Sequence, residues 1–224
     1  MALILVLDPG HGGKDPGASG NGLVEKNLAL DITKRVRTAL SSHQVDVKLT
    51  RESDVDLSLA DRVAYANNLN AGYFLSIHVN AGGGTGFESY VWTGAGGETE
   101  SLRRAVHMEV SAFYKSAGFP DRGEKKADFY VLRNTKMSAA LLENLFVDNK
   151  TDAAKLADAG FREEIAKAIA AGLVSALKIQ PAAWDPAAEI EKLRADGLIN
   201  SPHQPLDPVN WGEFATVINR LRGK

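Results

Sequence analysis

Cysteine is absent from the 224 residues. No disulfide framework can form and no thiolate can hold a metal, so any metal must be bound by His, Asp and Glu. Such a donor set suits a catalytic zinc better than a closed structural one. No apolar run is long enough to span a bilayer, which argues against membrane insertion. There is no long basic run either, and the formal net charge is −2. Nothing therefore invites nucleic acid or an anionic lipid surface. The start of the chain lacks the marks of a secretory leader: Met1-Ala2 offers no basic segment, and the apolar run after it ends at Asp8. Either a leader has been removed, or the protein leaves its cell by another route or stays inside. Internal repeats and low-complexity tracts are also missing.

What is present is 44% hydrophobic residues, enough for one sizeable core and an appendage. Leu3 to Leu7 reads as a short buried strand ending at the turn residues Asp8-Pro9-Gly10. Glu25 opens a helical pattern carried by Leu28, Ile32, Val36 and Leu40. Val45, Val47 and Leu49 alternate as a half-buried strand. Leu59, Val63 and Ala66 mark a second helix, which carries Arg62. Tyr73 to Val79 is a second apolar run, and Phe87, Ser89 and Val91 alternate as another strand. Leu102, Val106, Val110 and Phe113 predict a third helix, 118–128 a charged loop, and Phe129 to Arg133 a short strand. Ala139 to Val147 is a mostly apolar run, and Phe161 to Leu177 stripes a long helix. This alternation predicts an α/β fold: a central, mostly parallel (mixed) sheet flanked by helices.

Residues 180–184 read as a linker after a main domain of 1–179. Two helices are expected beyond it, each opened by an Asp N-cap and a Pro, at Asp185-Pro186 and Asp207-Pro208. Ile190 and Leu193 of the first, and Phe214, Val217, Ile218 and Leu221 of the second, would face a small core. This helical hairpin, 185–224, is too small to hold a core alone. It must dock on the main domain, pair with a copy of itself as a homodimer, or be weakly ordered.

His11 sits among glycines in the loop after the first strand, and His78 near the end of a later one. The C-terminal edge of an open α/β sheet is where ligands bind. Glu25, opening the helix after the His11 loop, can face the same mouth. Two imidazoles and one carboxylate make a three-ligand zinc site with a position left for water. Glu143, an acid inside an apolar run, fits the second carboxylate needed to move protons. A phosphate loop over Gly10 to Lys14 is excluded, because Asp8 and Asp15 stand where glycine and Ser or Thr are needed. Blander readings remain for single residues. His11 would cap a turn, Glu25 would be a first-turn helix acid, and Glu143 would pair with Arg51, Arg62 or Arg133. Asp8 and Asp15 read as turn formers or as partners that orient His11. Asn80 would either donate to a substrate or cap its strand, and Glu88 would face the cleft. His43 and His107 read as surface residues and His203, between turn residues, has no nearby partner type, so all three are left outside the site.

Several segments, in order, resemble one family: Val6 to Gly13, Gly22 to Lys26, Leu49-Thr50-Arg51, Leu59 to Asn67, Leu75 to Ala81 and Ala140 to Asn144. They are similar to the zinc-dependent N-acetylmuramoyl-L-alanine amidases, cell-wall hydrolases that include autolysins and phage endolysins. The resemblance runs from about Leu3 to Ile179. It implies peptidoglycan as substrate, one zinc held by His11, Glu25 and His78, and Glu143 as the catalytic glutamate. One departure stands out. The family follows that glutamate with an apolar residue and Gly-Phe, whereas this chain reads Asn144-Leu145-Phe146. Two other readings use the same residues: a zinc carboxypeptidase-like or aminopeptidase-like hydrolase, and a peptidoglycan-binding module without catalysis.

Overall fold

Strand β1 (Leu3–Pro9) lies between β4 (Val45–Leu49) and β5 (Tyr73–Asn80), parallel to both. In the computed structural model, which describes residues 3–183, 185–199 and 207–222, these belong to a six-stranded sheet. Its order is β4-β1-β5-β8-β6-β7. β8 (Ser138–Phe146) runs parallel to β5, and β6 (Phe87–Trp92) antiparallel to β8. β7 (Asp121–Ala127) closes the far edge, parallel to β6. A two-residue-per-strand hairpin, β2 (Ser19–Gly20) with β3 (Leu23–Val24), sits in the loop after β1.

The alternation of side chains along each strand divides the core between two faces. On one face Leu5, Leu7, Leu75, Ile77 and Leu142 pack with α1 (Glu25–Ala39), α3 (Gly97–Ser116) and α6 (Ala159–Leu177). On the other, Val6, Phe74, Ala139 and Leu141 pack with α2 (Leu59–Asn68) and the short α4 (Tyr130–Asn134). Because α1 and α2 lie on opposite faces, the chain connections around the paired strands β1 and β5 turn to opposite sides, and a crevice opens beyond the C-terminal ends of these strands. The first helix begins at Glu25 as its periodicity requires, and α2 is capped by Ser58, whose Oγ accepts from the Asp61 N–H.

Three readings of this region need correction. Phe129 to Arg133 is no strand: Tyr130–Asn134 forms a helical turn. The charged stretch 118–128 is largely strand β7, an edge strand whose charged residues face solvent and neighbours. The helix from Phe161 starts at Ala159 and is preceded by a separate α5 (Lys150–Ala157).

The chain divides into two units, Met1–Pro181 and Ala182–Lys224. Gln180 and Pro181, read as linker, belong to the first, where the Gln44 N–H donates to the Gln180 carbonyl. The second holds α7 (Pro186–Ala195), where Asp185 accepts from the Ala187 N–H. It also holds α8 (Trp211–Arg222), which starts later than expected. Asn210 caps α8 in place of Asp207, exchanging hydrogen bonds with Glu213. The expected core face of α8 is open, with Phe214 and Leu221 exposed and Val217 and Ile218 half-buried. Trp184 and His203 lie outside the described residues. Among the described residues, no helix is long and apolar enough to cross a membrane.

Candidate active site

The crevice is built on a loop that two arginines hold. Arg62, from α2, pairs with buried Asp8 at 2.7 Å and donates to the carbonyls of Pro9 and His11. Arg51, just beyond β4, donates to the carbonyls of Pro9 and Gly10. These contacts hold His11 at φ 59°, a conformation an L-residue adopts only when its surroundings insist. Two glycines allow the close approach of the side chains. A Cβ on Gly10 would lie 2.2 Å from the His78 ring, and one on Gly17 2.5 Å from Glu25 Oε2 and 2.6 Å from the His11 ring.

His11, Glu25 and His78 converge, each offering a donor atom within 4.8 Å of the other two. Glu25 Oε1 is 3.1 Å from His11 Nε2 and 3.0 Å from His78 Nδ1. The rings meet edge to face, with centroids 4.9 Å apart. The remaining atoms of each group are held from behind. His11 Nδ1 binds Asp15 at 2.8 Å, and Glu25 Oε2 accepts from the Ala18 N–H at 2.8 Å. His78 Nε2 contacts Ser76 Oγ at 3.1 Å, and that hydroxyl donates to Asp8 Oδ2 at 2.7 Å. Asp15 thus orients His11 as expected, whereas Asp8 does not: it reaches His78 through Ser76. Burial opposes charge on Glu25, but hydrogen bonds from both imidazoles hold its carboxyl well below the usual range. Burial likewise opposes protonation of His11, but Glu25 and Asp15 raise its pKa to about 9. A concentrated negative charge facing two imidazoles, with each second ring nitrogen fixed, is a donor set that fits a divalent ion.

Glu143 lines the same pocket of about 320 Å³ as His11, Glu25 and His78. It lies directly across from His78 in the β5–β8 pairing. Its Oε2 is buried, with no hydrogen-bond partner among the described residues. Burial, with Glu25 and Glu88 nearby, pushes its pKa up to about 7 against the opposing pull of His78. The alternative of an arginine partner fails, because Arg51 and Arg62 bind the His11 loop and Arg133 pairs with Asp128.

Glu88 is buried opposite Glu143 on β6. It accepts from Asn80 Nδ2 at 2.8 Å, Tyr90 Oη at 2.7 Å, Arg122 Nε at 2.6 Å and Lys125 Nζ at 2.5 Å. Burial opposes its charge, but these donors hold its pKa at about 2. Asn80 also accepts from the Ala81 N–H, the strand-capping role, and lines the Glu143 pocket. His107, expected at the surface, is buried: Nδ1 meets Ser89 Oγ at 2.8 Å and Nε2 meets Asp121 at 3.0 Å. The sequence reading missed Ser76 and the clasp of Arg51 and Arg62. The available signal was an arginine at the end of a strand, and another beside the apolar stripe of a helix.

Comparison with known proteins gives a consistent result. Residues 5–175 match the family model described as N-acetylmuramoyl-L-alanine amidase. A sporulation-specific N-acetylmuramoyl-L-alanine amidase of Bacillus subtilis (strain 168) is 47% identical over 178 residues, 79% of this chain and 69% of that protein. An endolysin of Bacillus phage SPP1 is 46% identical over 184 residues, 80% of this chain and 68% of its own. Among solved structures, the catalytic domain of CwlV, an amidase from Bacillus (Paenibacillus) polymyxa var. colistinus, superposes with a TM-score of 0.74 at 33% identity. That match covers 80% of this chain and 99% of that one.

Proposed function

Since the chain belongs to the N-acetylmuramoyl-L-alanine amidases, we propose that His11, Glu25 and His78 hold one catalytic zinc and that Glu143 is the general acid/base. The reaction is hydrolysis of the amide between the lactyl group of N-acetylmuramic acid and the L-alanine of the stem peptide. Its products are glycan strands and free stem peptides. The ion, when bound, would polarise the scissile carbonyl and make water acidic enough to attack near neutral pH. Glu143 takes the proton released as water adds to the carbonyl carbon and delivers it to the departing nitrogen. Asp15 and the Ser76–Asp8 pair keep the two imidazoles in fixed tautomers, each with one nitrogen turned to the site. The observation that carries this reading is the buried Oε2 of Glu143, without a hydrogen-bond partner among the described residues, in the pocket where the three donors converge. A structural carboxylate would have a cation or N–H beside it.

The test is the Glu143→Ala variant. It should retain zinc at the wild-type stoichiometry while its clearing of purified walls falls by about 10²–10⁴-fold. A chelator should silence the wild type, and added zinc should restore it. New N-terminal alanine on digested walls separates this reaction from a carboxypeptidase-like or aminopeptidase-like cut. Clearing by Glu143→Ala at the normal rate would sink the assignment.

We further propose that residues 1–179 are the catalytic domain and that 185–224 retain the enzyme on its polymer. Release at the wall, by lysis or after export, follows from the same substrate.

A further inference from the structure

Beyond β8, which carries Glu143, the sheet continues for two strands, β6 and β7. Side chains of one row cross it on the same face: His78 on β5, Glu143 on β8 and Glu88 on β6 are paired in register. Arg122, on β7, ends the row by donating its Nε to Glu88. Its guanidinium lies over the Phe146 ring, 4.8 Å from the centroid. Gly84 makes room for that stack, because a Cβ there would stand 2.6 Å from the Phe146 ring and 3.2 Å from Arg122 Nη1. Two strands besides its own, β6 through Glu88 and β8 through Phe146, therefore fix this one side chain.

Its two terminal nitrogens have no hydrogen-bond partner among the described residues, and about a third of the side chain, 36%, is open to solvent. Glu88 needs only one cation to balance it, yet Arg122 and Lys125 both pair with it. The cluster therefore carries one surplus positive charge at the side of the cleft. A planar fork held by Nε and by stacking, with both Nη groups free, is pre-organised for bidentate binding of a carboxylate. Adjacent strands lie about 4.8 Å apart, so β7 is roughly 10 Å from β8. An extended peptide advances about 3.3 Å per residue, so that span reaches the residues just after the stem's alanine.

We propose that Arg122 is a specificity-determining residue that binds a carboxylate of the stem peptide beyond the alanine, so that the enzyme favours stems whose carboxylates are free over those that are amidated. This rests on the amidase reading, whose own failure would be distinct: no muramoyl peptide would be cut at all. The experiment uses soluble muramoyl peptides matched except that each stem carboxylate in turn is a carboxamide. With the wild-type full chain, one carboxamide should raise KM about tenfold, the scale of one lost charge-assisted hydrogen bond, with kcat little changed. Arg122→Gln should raise KM for the free-carboxylate substrate to that same level and abolish the preference, and Arg122→Lys should restore it in part. Equal KM for every wild-type substrate would overturn the proposal without recourse to a variant. So would an Arg122→Gln that slows all substrates alike while keeping the preference.

Discussion

Leu145 is buried and stands at φ 62°, in the left-handed region. The cause is a bulge in β8. His78 faces Glu143 and Asn80 faces Phe146, so Val79 stands against both Asn144 and Leu145. A bulge of this kind wants a glycine at its left-handed residue. The glycine that the resembling family carries there is thus a backbone requirement, and this chain meets it with a leucine packed into the core. Left-handed backbone costs a non-glycine residue about 1–2 kcal/mol, whereas truncating a buried leucine costs about 2–5 kcal/mol. Leu145→Gly should therefore be net destabilising, by about 2 kcal/mol, the difference between those ranges. Urea unfolding measures it, and a variant more stable than the parent would mean that strain outweighs packing. Asn144 secures the same bulge, donating to the His78 carbonyl at 3.0 Å and accepting from Tyr114 at 3.2 Å. The departure after Glu143 thus changes the buried wall behind the site and leaves the Glu143 carboxyl in its pocket.

At the scale of elements, α3, β6 and β7 are joined through His107, which touches Ser89 and Asp121. Burial lowers the His107 pKa, with Arg103 also disfavouring charge, and Asp121 and Glu124 only partly oppose this. The folded protein therefore holds the imidazole neutral where the unfolded chain, near 6.5, already binds a proton. Below that pH the unfolded state gains protons that the fold does not take, so stability falls as pH drops from about 6.5 toward the lower folded value. The urea midpoint of the parent should decline more between pH 7.5 and 5 than that of His107→Gln. Parallel declines would remove His107 from the account. The same region shows where sequence periodicity stops being informative. Helices α1 and α2 and strands β1 and β5 were legible because their apolar spacing is intrinsic to them. Strand β7 was not, because Arg122 and Lys125 pair with Glu88 of β6 while Glu124 and Lys126 pair with Arg103 and Glu100 of α3, which leaves no apolar alternation. Tyr130 and Val131 look strand-like in isolation, but tertiary packing over Leu141 makes them a helical turn. His11, Glu25, His78 and Glu143 could be found because each sits at the end of a readable element or interrupts an apolar run. Arg122 could not, since its meaning depends on strand order.

For the molecule as a whole, the division at Pro181 sets what each part can do. Both apolar clusters lie within the first unit, which also contains every residue of the pocket. In the second unit Leu198 is the one fully buried apolar side chain among the described residues, and Arg220 reaches its carbonyl at 2.7 Å. So thin a core can hold only a marginal fold of its own. It leaves Val209 and Trp211 67% and 83% exposed, apolar surface of the kind that marks an interaction site. A chain ending at Pro181 keeps both apolar clusters and should therefore melt within a degree or two of the full protein. It should also hydrolyse soluble muramoyl peptides at the full-length rate. On intact walls it should be slower, because retention on an insoluble polymer raises the local concentration of enzyme. Co-sedimentation with walls, melting curves and solution mass of both forms check this together. A large fall in melting temperature with unchanged wall retention would assign the segment to docking, and a halved mass would assign it to dimerisation.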